Sequence, residues 1–221
     1  MSQIKDWDRE RVARWAQPPK RKGPSLNAVT ARRIVNYTEQ TSNSFTILDV
    51  GTGPAQLLIE IKKIAPGIKL IGIDPSIDMI NIAKQNLEQS EFTDIEIKLG
   101  SAEEIPVDTE TINLVVAQTS FLFWEDPRKG LSEVYRVLKP DGKILIADWN
   151  KSYPKWKFYL HNINIMRRAG MWRAKDVRRS FRKAYRFEEA LQLIGEAGYR
   201  IVEAEGKELR FFIMAKRSDD V

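Results

Sequence analysis

One stretch, residues 45–64, restricts the possible folds of this chain more than any other. It opens with an apolar run, Phe45–Val50, which is long enough for a buried parallel strand. A tight turn with Gly51 and Gly53 follows, and a helical pattern of apolar residues comes next. Strand, glycine turn and helix together predict the first unit of a doubly wound α/β sheet. The apolar helix positions are Leu57, Leu58, Ile61 and Ile64.

The turn itself has the chemistry of a ligand cradle. Gly51 and Gly53 permit positive φ angles and allow a ligand to approach the backbone closely. The free N–H groups at the start of the helix favour a negatively charged group on that ligand. We expect Pro54 in the first turn of the helix, where its missing N–H costs nothing.

A second strand ends in a carboxylate at a suitable distance from the turn. The run Leu70–Asp74 is apolar up to its last residue, which lies about 20 residues past the turn. A carboxylate at that place can accept hydrogen bonds from both hydroxyls of a ribose. The turn does not fit the dinucleotide fingerprint, because Gln56 stands where a third small residue is needed. The pattern is instead G-x-G-x-[G/A], with Asp49 ahead of it and Ala55 in the last place.

These motifs resemble those of the class I S-adenosylmethionine (SAM)-dependent methyltransferases, in particular the branch that includes ubiquinone/menaquinone-biosynthesis methylases. The matching stretches follow the family's order and spacing. The resemblance implies a three-layer, Rossmann-like, doubly wound α/β fold. Its seven-stranded sheet would have the order 3-2-1-4-5-7-6 with an antiparallel last strand. The stretches are 47–55, 70–80, 100–106, 112–118 and 135–149.

The resemblance also implies that SAM is the cofactor and S-adenosylhomocysteine the product. Met79 is expected near the adenine ring. The family commonly has an acidic residue at the position of Ser101, where this chain has a hydroxyl, so Glu103 is an alternative partner of the adenine amino group. The Ala102 N–H is a contact that needs no particular side chain. The expected cofactor-binding residues are Asp49, Gly51, Thr52, Gly53, Asp74, Pro75, Met79, Ser101, Ala102, Glu103 and Gln118.

The remaining periodicity predicts the elements that complete the sheet. We expect Ser76 to cap one helix and Asp126 to open another, and we expect Val29, Ile34 and Val35 to face the core. The expected helices are 26–39, 76–89, 126–138 and 187–197, the last stopped at Gly198. The expected strands are 94–100, 111–117 and 143–148, with a turn at 139–142 and a hairpin of 199–204 and 208–215.

Length and composition favour a single globular domain, residues 1–221. The chain is 43% hydrophobic and 30% charged, which suits a sizeable core. It contains no cysteine, and no cluster of metal-ligating residue types predicts a metal site. No apolar run approaches the length of a transmembrane segment, and the N-terminus lacks the apolar core of a signal peptide, so we expect a cytoplasmic protein. The oligomeric state is left open.

The charge is distributed unevenly along the chain. Residues 151–186 contain twelve Lys or Arg and one acid, a net charge of +11, whereas the rest holds 24 bases and 29 acids, a net charge of −5. The basic segment falls where the resembling family places a substrate-covering insertion, so we expect a helical lid there. Residues 1–25, which include Trp7 and Trp15, are expected to form a second lid or a docked arm.

One predicted helical face of the basic segment is apolar and has cations beyond it. This pattern suits an anionic small molecule in a hydrophobic pocket, a nucleic acid, or an anionic membrane surface. A solvated basic surface with a structural stripe explains it equally well. The apolar face comprises Trp156, Tyr159, Leu160, Ile163 and Met166. Gln118, Ser120 and Phe123 are expected at the mouth of the site. The candidate acceptor-binding residues are Phe123, Trp124, Trp156, Tyr159 and Arg167.

The predicted reaction is the in-line displacement of a methyl group from SAM to a small metabolite that is anionic or aromatic. Alignment and exclusion of water supply much of the acceleration, so a general base is not required. His161, the only histidine, is the candidate if one is used, and a structural role is the alternative. Two other functions remain open. One is methylation of RNA or a protein partner through residues 151–186, and the other is SAM binding without catalysis.

Overall fold

A doubly wound α/β sheet forms the centre of the molecule. The structure is a computed structural model, and it describes residues 11–12, 25–38 and 45–218. Its helices are α1 (Leu26–Thr38), α2 (Gln56–Ile64), α3 (Ile77–Gln89), α4 (Pro127–Val137), α5 (Lys155–Lys183) and α6 (Phe187–Glu196). Its strands are β1 (Thr46–Val50), β2 (Lys69–Asp74), β3 (Glu96–Leu99), β4 (Ile112–Gln118), β5 (Leu138–Trp149), β6 (Tyr199–Glu205) and β7 (Arg210–Arg217).

The strand order is β3-β2-β1-β4-β5-β7-β6. Strands β1 to β5 pair in parallel, and β7 is antiparallel to both β5 and β6. The expected order and the reversed last strand are therefore confirmed. Successive strands are added on one side of β1 and then, from β4 onward, on its other side. The carboxyl ends of β1 and β4 therefore border the crevice in which such sheets bind ligands.

Helices cover both faces of the sheet, which makes three layers. On one face α1, α2 and α3 pack against the sheet through residues such as Ile34, Leu58 and Ala83. On the other face α4 and α6 do so through residues such as Leu131 and Ile194. All five of these side chains are fully buried, so each face of the sheet has its own apolar core.

Two apolar side chains that we expected in the core are exposed. Val29 and Ile64 have exposed fractions of 51% and 43%. Val29 lies near the start of α1, while Ile34 and Val35 one to two turns later are buried as expected. Ile64 is the last residue of α2, where the helix leaves the sheet. Periodicity places both on the apolar side, but the ends of these helices extend beyond the sheet that would cover them.

The first helix after the glycine turn begins later than expected. Pro54 lies in the turn and outside the first turn of α2, because Ala55 adopts a left-handed conformation (φ 59°) and the helix begins only at Gln56. The other expected helix ends agree closely with the structure. Ser76 Oγ accepts a hydrogen bond from Met79 N, and Asp126 accepts from the first N–H groups of α4.

Strand β5 is longer than expected, and β3 is shorter. Leu138 already pairs with Ile112, and the register shifts before Lys143 pairs with Leu114. The expected turn over residues 139–142 is therefore an irregularity within β5 rather than a break before it. At the edge of the sheet β3 covers only Glu96–Leu99 instead of 94–100, and none of its residues is fully buried.

Helix α5 occupies most of the basic segment and folds back on itself. Its direction breaks at Gly170, whose φ of 85° is not helical. The first arm, residues 155–169, and the second arm, residues 171–183, are joined by two contacts. Phe158 stacks on Phe181 with ring centroids 3.8 Å apart, and buried Asn162 donates to the Ala174 carbonyl at 2.9 Å. We call this unit the α5 hairpin.

The α5 hairpin packs against the carboxyl edge of the sheet. Phe158, Val177 and Phe181 form a cluster with Leu122 and with Trp149 at the end of β5. In the part of the chain that the structure describes, no helix is both long and apolar enough to cross a lipid bilayer. Most of the expected arm over residues 1–25, including Trp7 and Trp15, lies outside the described residues. Within that arm Arg11 is helical, and it forms an ion pair of 3.0 Å with Asp176 of the hairpin.

Candidate functional site

The glycine turn between β1 and α2 is held close to β2 and β4. Gly51 N and Thr52 N both donate to the Ile73 carbonyl, at 2.8 and 2.9 Å. Gly51 has a φ of 77°, and a Cβ at this position would lie 2.5 Å from Ser120 Cβ. Only glycine fits this position, because any other residue would be strained at this φ and its Cβ would overlap Ser120. Ser120 Oγ donates to the Val50 carbonyl at 2.6 Å, which fixes the loop after β4 against the turn.

Asp74 organises the other side of the turn. Its Oδ2 accepts from Gly53 N and its Oδ1 from Ser76 N, each at 2.9 Å. A carboxylate oxygen can accept more than one hydrogen bond, so both oxygens keep acceptor capacity for a ligand. At Gly53, with a φ of 54°, an added Cβ would meet no atom within 4 Å. The turn is therefore tied down on its inner side and open above Gly53.

Two buried carboxyl groups lie at this edge of the sheet. Burial raises the pKa of Asp49 to about 7; the nearby Asp74 charge acts in the same direction, and the Thr52 hydroxyl opposes it. Burial likewise raises the pKa of Asp74 to about 6, against the two backbone N–H groups that stabilise its charged form. Their charges therefore develop at mildly acidic to neutral pH, and a cationic ligand beside them would favour ionisation.

The residues expected around an adenine ring lie at the ends of β2 and β3. Met79 and Ala102 are buried, with exposed fractions of 5% and 4%. Ser101 is half-buried and forms a short bridge with Glu104. Glu103 accepts from Glu125 N at 2.8 Å, and from the next N–H, so it already joins this loop to the start of α4. Pro75 is exposed and lies between Asp74 and the cap of α3.

A chain of amides connects α1 with the end of β4. Gln118 Nε2 donates to Asn27 Oδ1 at 2.6 Å, and Asn27 Nδ2 donates to Gln56 Oε1 at 3.2 Å. The three residues come from α1, α2 and β4, so this chain crosses the region beside the glycine turn. Gln118 Oε1 is buried and accepts no hydrogen bond from the described residues. It is thus an acceptor that is free for a ligand.

The loop after β4 is held by a buried carboxylate from β5. Asp148 Oδ2 accepts from Leu122 N at 3.1 Å, and its Oδ1 accepts from Trp149 N at 2.7 Å. Burial raises the pKa of Asp148 to about 6, while the Trp149 N–H and the charge of Arg210 favour the ionised form. Asp148 therefore fixes the short 3₁₀ helix Phe121–Phe123, which carries one of the expected mouth residues.

An arginine at the start of β7 reaches the same edge. Arg210 is opposite Trp149 in the antiparallel pairing, and its guanidinium lies 4.0 Å from the centre of that indole ring. Its Nη1 donates to Thr119 Oγ1 at 2.8 Å. Thr119 directly follows Gln118 and has a φ of 58°, which is uncommon for a β-branched residue. A guanidinium, an indole and a strained threonine thus meet one residue along the chain from Gln118.

The candidate acceptor-binding residues are divided between two places. Phe123 and Trp124 lie in the loop after β4. The Trp124 ring packs on Gly130 of α4, where an added Cβ would come within 2.5 Å of it, so it faces the core on the adenine side. Phe123 packs against the cluster beneath the α5 hairpin. The candidates of the hairpin itself, Trp156, Tyr159, Arg167 and His161, are all exposed.

Three side chains at this edge were not among the candidates. Asn27 lies in a helix whose pattern indicated only packing. Asp148 was assigned only as the end of a strand, and Arg210 was part of an alternating strand. A buried acid at the carboxyl end of a parallel strand is the one signal in the sequence that could have identified Asp148. The pairing of β5 with β7, which brings Arg210 to the site, requires the structure.

A glycine turn and a strand-end carboxylate at the carboxyl edge of a doubly wound sheet define a nucleotide-binding α/β protein. Comparison with known families is more specific. A family described as a methyltransferase domain matches residues 41–201 of this chain. The chain therefore belongs to this family, within the class I SAM-dependent methyltransferases, and SAM is the cofactor of the class.

Curated relatives match about half of the chain. A ubiquinone/menaquinone biosynthesis C-methyltransferase of Geotalea daltonii is 31% identical over 52% of this chain and 49% of its own length. A demethylmenaquinone methyltransferase of Chlorobaculum tepidum is 38% identical over 46% of this chain and 40% of its own. An arsenite methyltransferase of Halobacterium salinarum is 27% identical over 49% of this chain and 28% of its own. The chain thus spans half or less of the length of these three relatives.

Solved structures match over nearly the whole chain. A SAM-dependent methyltransferase of Aquifex aeolicus has a TM-score of 0.72 at 20% identity, and the match covers 96% of this chain and 100% of that one. A putative SAM-dependent methyltransferase of Methanococcus maripaludis has a TM-score of 0.76 at 24% identity, and the match covers 100% and 99%. At these identities the likeness shows the shared fold.

The residues at the edge fit SAM on four observations. The space above Gly53 is open, so the adenosyl group can approach the backbone there. Asp74 has acceptor capacity left for ribose hydroxyls. Gln118 Oε1 is a buried acceptor that lacks a donor among the described residues. The acidic surroundings created by Asp49 and Asp74 suit a ligand with a sulfonium charge.

Proposed function

We propose that the chain transfers the methyl group of SAM to a small acceptor that carries an anionic group next to an aromatic or other flat apolar part. The observation that carries this proposal is the position of Arg210. Its guanidinium stacks on Trp149 and donates to Thr119 at the carboxyl edge of the sheet, one residue beyond Gln118. A guanidinium binds carboxylate or phosphate groups well, and the neighbouring indole offers an apolar surface.

The surroundings of Arg210 support an anionic acceptor rather than a cationic one. Asp148 is close enough to influence the charge of this pocket, but both its oxygens accept backbone N–H groups of the loop. Asp148 has an exposed fraction of only 1%, so it lies beneath the loop and is less accessible to an acceptor than the half-buried Arg210. Arg210 supplies a cationic donor at this edge, and its side chain is half-buried, so its guanidinium is accessible to an acceptor.

In this proposal the residues of the chain contribute binding, orientation and exclusion of water. SAM supplies a methyl group on a positively charged sulfur. Asp74 holds the adenosyl group in the open space above Gly53, with Met79 and Ala102 beside the base. Gln118 orients the groups nearest the reacting atoms, and Arg210 aligns the acceptor. Alignment of this kind lowers the barrier without a proton transfer by the protein, so His161 on the exposed hairpin is not needed.

We also propose that residues 151–186, with the arm over residues 1–25, cover the acceptor. The inner side of the α5 hairpin supports this role. Phe158 and Phe181 stack on each other and pack with Leu122 and Trp149, which lie directly beside the loop that Asp148 holds. Such a cover excludes water from the reacting groups. The ion pair of Arg11 with Asp176 connects the arm to the same hairpin.

The test begins with labelled SAM and fractionated cell extract, which identifies the methylated product as a small molecule, an RNA or a protein. With a small acceptor in hand, Arg210→Gln should raise KM for that acceptor by roughly tenfold or more, with little change in the affinity for SAM. Arg200→Gln, which changes an exposed arginine of β6, is the matched control. Label that enters only RNA or protein, or an unchanged KM in Arg210→Gln, would contradict the proposal.

A further inference from the structure

The first arm of the α5 hairpin exposes a row of large apolar side chains. Their exposed fractions run from 63% for Trp156 to 41% for Met166. They recur at intervals of three and four residues, so they form one stripe along the helix. We call this the apolar stripe, and it comprises Trp156, Tyr159, Leu160, Ile163 and Met166. The arm is 15 residues long, so it extends over about 22 Å.

The stripe is distinct from the face by which the arm is anchored. Phe158, Asn162 and Ile165 point towards the second arm and the cluster at the edge of the sheet. The stripe lies on a neighbouring sector of the helix, and its one ring contact with the anchored face is the edge of Tyr159 on Phe158, with centroids 5.8 Å apart. Isolated exposed apolar residues are normal, but a contiguous row of five on one helix marks an interaction surface.

Exposed cations lie around the stripe on the first arm of the hairpin and on the second arm. Exposed basic residues around it include Lys155, Lys157, Arg167, Arg168, Lys175 and Arg178, and none of the ion pairs found among the described residues neutralises them. The one acidic residue of the segment, Asp176, is already paired with Arg11. The surface therefore combines an apolar stripe with exposed cations that form no ion pair among the described residues.

These two properties decide among the partners that the sequence left open. A second copy of the chain would bring two segments of net charge +11 against each other in a symmetric interface, which is unfavourable. Nucleic acid would neutralise the cations, but aliphatic side chains such as Leu160, Ile163 and Met166 gain little from phosphates. An anionic lipid surface satisfies both, because the stripe enters the region between headgroups and acyl chains while the cations meet lipid phosphates.

We propose that the α5 hairpin docks the protein on an anionic lipid surface, with the apolar stripe inserted into the interface and the flanking Lys and Arg side chains at the headgroups. Such docking is peripheral, because the arm lies along the interface and does not cross it. The inner face of the hairpin remains against the sheet, so docking leaves the cradle for SAM intact. The inference rests on the exposed surface and not on the proposed acceptor.

Flotation of the full chain with lipid vesicles tests the proposal. We expect the protein to float with vesicles of phosphatidylcholine and phosphatidylglycerol in equal amounts, and to float far less with phosphatidylcholine alone or at high salt. The stripe variant Leu160→Ser/Ile163→Ser/Met166→Ser should bind the mixed vesicles at least about tenfold more weakly. Lys157→Gln/Arg168→Gln should weaken binding by roughly 25-fold, since each of the two charges contributes about fivefold.

Controls separate loss of the surface from loss of the fold. Ile64→Ser/Val202→Ser removes two equally exposed apolar side chains from α2 and β6 and should float like the wild type. SAM titration and circular dichroism should be unchanged in all three variants. Failure of the wild type to float with mixed vesicles overturns the proposal, as does undiminished flotation of the stripe variant. A dimer seen by light scattering that dissociates in the stripe variant, or retention on polyuridylate, each without vesicle binding, assigns the surface to another partner and also overturns it.

Discussion

The glycine cradle and the α5 hairpin lie side by side but use their polar groups in opposite ways. In the cradle, the N–H groups of Gly51, Thr52, Gly53 and Ser76 all have acceptors within the chain, and the carboxylates are buried. In the hairpin, cations and large apolar side chains are exposed together. The cradle is complete as a scaffold and accepts a ligand from above. The exposed cations and apolar side chains of the α5 hairpin suit contact with a partner outside the chain. The sequence therefore specifies the cradle more fully than it specifies the role of the hairpin surface.

The largest loss of stability is expected when the buried carboxylate that holds the loop is removed. Removal of a carboxylate on the surface is the matched comparison. Asp148→Ala leaves the N–H groups of Leu122 and Trp149 without their acceptor in a buried place. The free energy of unfolding should fall by about 3 kcal/mol. Asp141→Ala removes an exposed partner of Lys216 and should change it by less than about 1 kcal/mol. Urea denaturation measures both, and equal effects would show that Asp148 does not hold the loop.

Two neighbouring residues of the α5 hairpin allow a second comparison of a buried side chain with an exposed one. Phe158 is buried and stacked on Phe181, whereas Tyr159 is exposed in the apolar stripe. Phe158→Ala should destabilise the hairpin by about 3 kcal/mol, and Tyr159→Ala by less than about 0.5 kcal/mol. Hydrogen exchange of the amides in residues 155–183 reports the local stability directly. A large loss of protection in Tyr159→Ala would mean that the stripe is packed rather than exposed.

The two glycines of the cradle should respond differently to the same change. Gly51→Ala combines a positive φ with a contact of 2.5 Å to Ser120 Cβ, and it should lower stability by about 2 to 3 kcal/mol. Gly53→Ala has space for its Cβ, so about 1 kcal/mol of strain is expected. The affinity for SAM should nevertheless fall in Gly53→Ala, since the methyl group enters the cradle. Thermal unfolding and calorimetric titration separate the two effects.

A further prediction concerns the dependence of stability on pH. In the folded protein, burial raises the pKa of Asp49 to about 7 and that of Asp74 to about 6, from an ordinary value of 3.8. The folded state thus binds more protons than the unfolded state between pH 4 and pH 7, and stability falls as the pH rises through this window. Asp49→Asn should remove part of this slope. Denaturation at several pH values tests it, and a slope that is the same in Asp49→Asn would contradict the assignment.

The pH dependence of SAM binding tests the charges of Asp49 and Asp74 in a second way. A cationic ligand favours the ionised carboxylates, so the affinity for SAM should increase several-fold from pH 5 to pH 7. S-adenosylhomocysteine, which lacks the sulfonium charge, should show a weaker dependence. Calorimetry with both ligands measures the difference. An identical pH dependence for the two would mean that the charges of Asp49 and Asp74 do not act on the sulfur.

Much of the fold could be predicted from short local signals. Ser76 and Asp126 cap helices as their residue types favour, and Gly198 ends α6 with a φ of 84°. The strand order was implied by the family resemblance that five short motifs carry, and the structure confirms it. Exposure at element ends could not be predicted, because the burial of Val29 and Ile64 depends on how far the sheet extends beneath them. The delayed start of α2 depends on the left-handed conformation of Ala55, which nothing in the residue type favours.

The residues of the candidate site differ in the same way in how far the sequence could predict them. The residues of the cradle are close in sequence to the turns that position them, so Gly51, Gly53 and Asp74 could be proposed from spacing. Arg210 reaches the edge only because β7 runs antiparallel to β5, a pairing over about 60 residues of chain. The apolar stripe was visible as a helical face, but its exposure and the fold of the hairpin at Gly170 were not. Long-range pairing and solvent exposure are properties of the assembled molecule.

The account rests on the cradle binding SAM independently of the outer surface of the hairpin. Calorimetric titration with SAM of the wild type, of Asp74→Ala and of the stripe variant tests this directly. We expect binding to one site in the wild type, a loss of roughly 100-fold in Asp74→Ala because its charge-assisted hydrogen bonds are removed, and unchanged affinity in the stripe variant. Absence of SAM uptake by the folded wild type, or equal affinity in Asp74→Ala, would contradict the account.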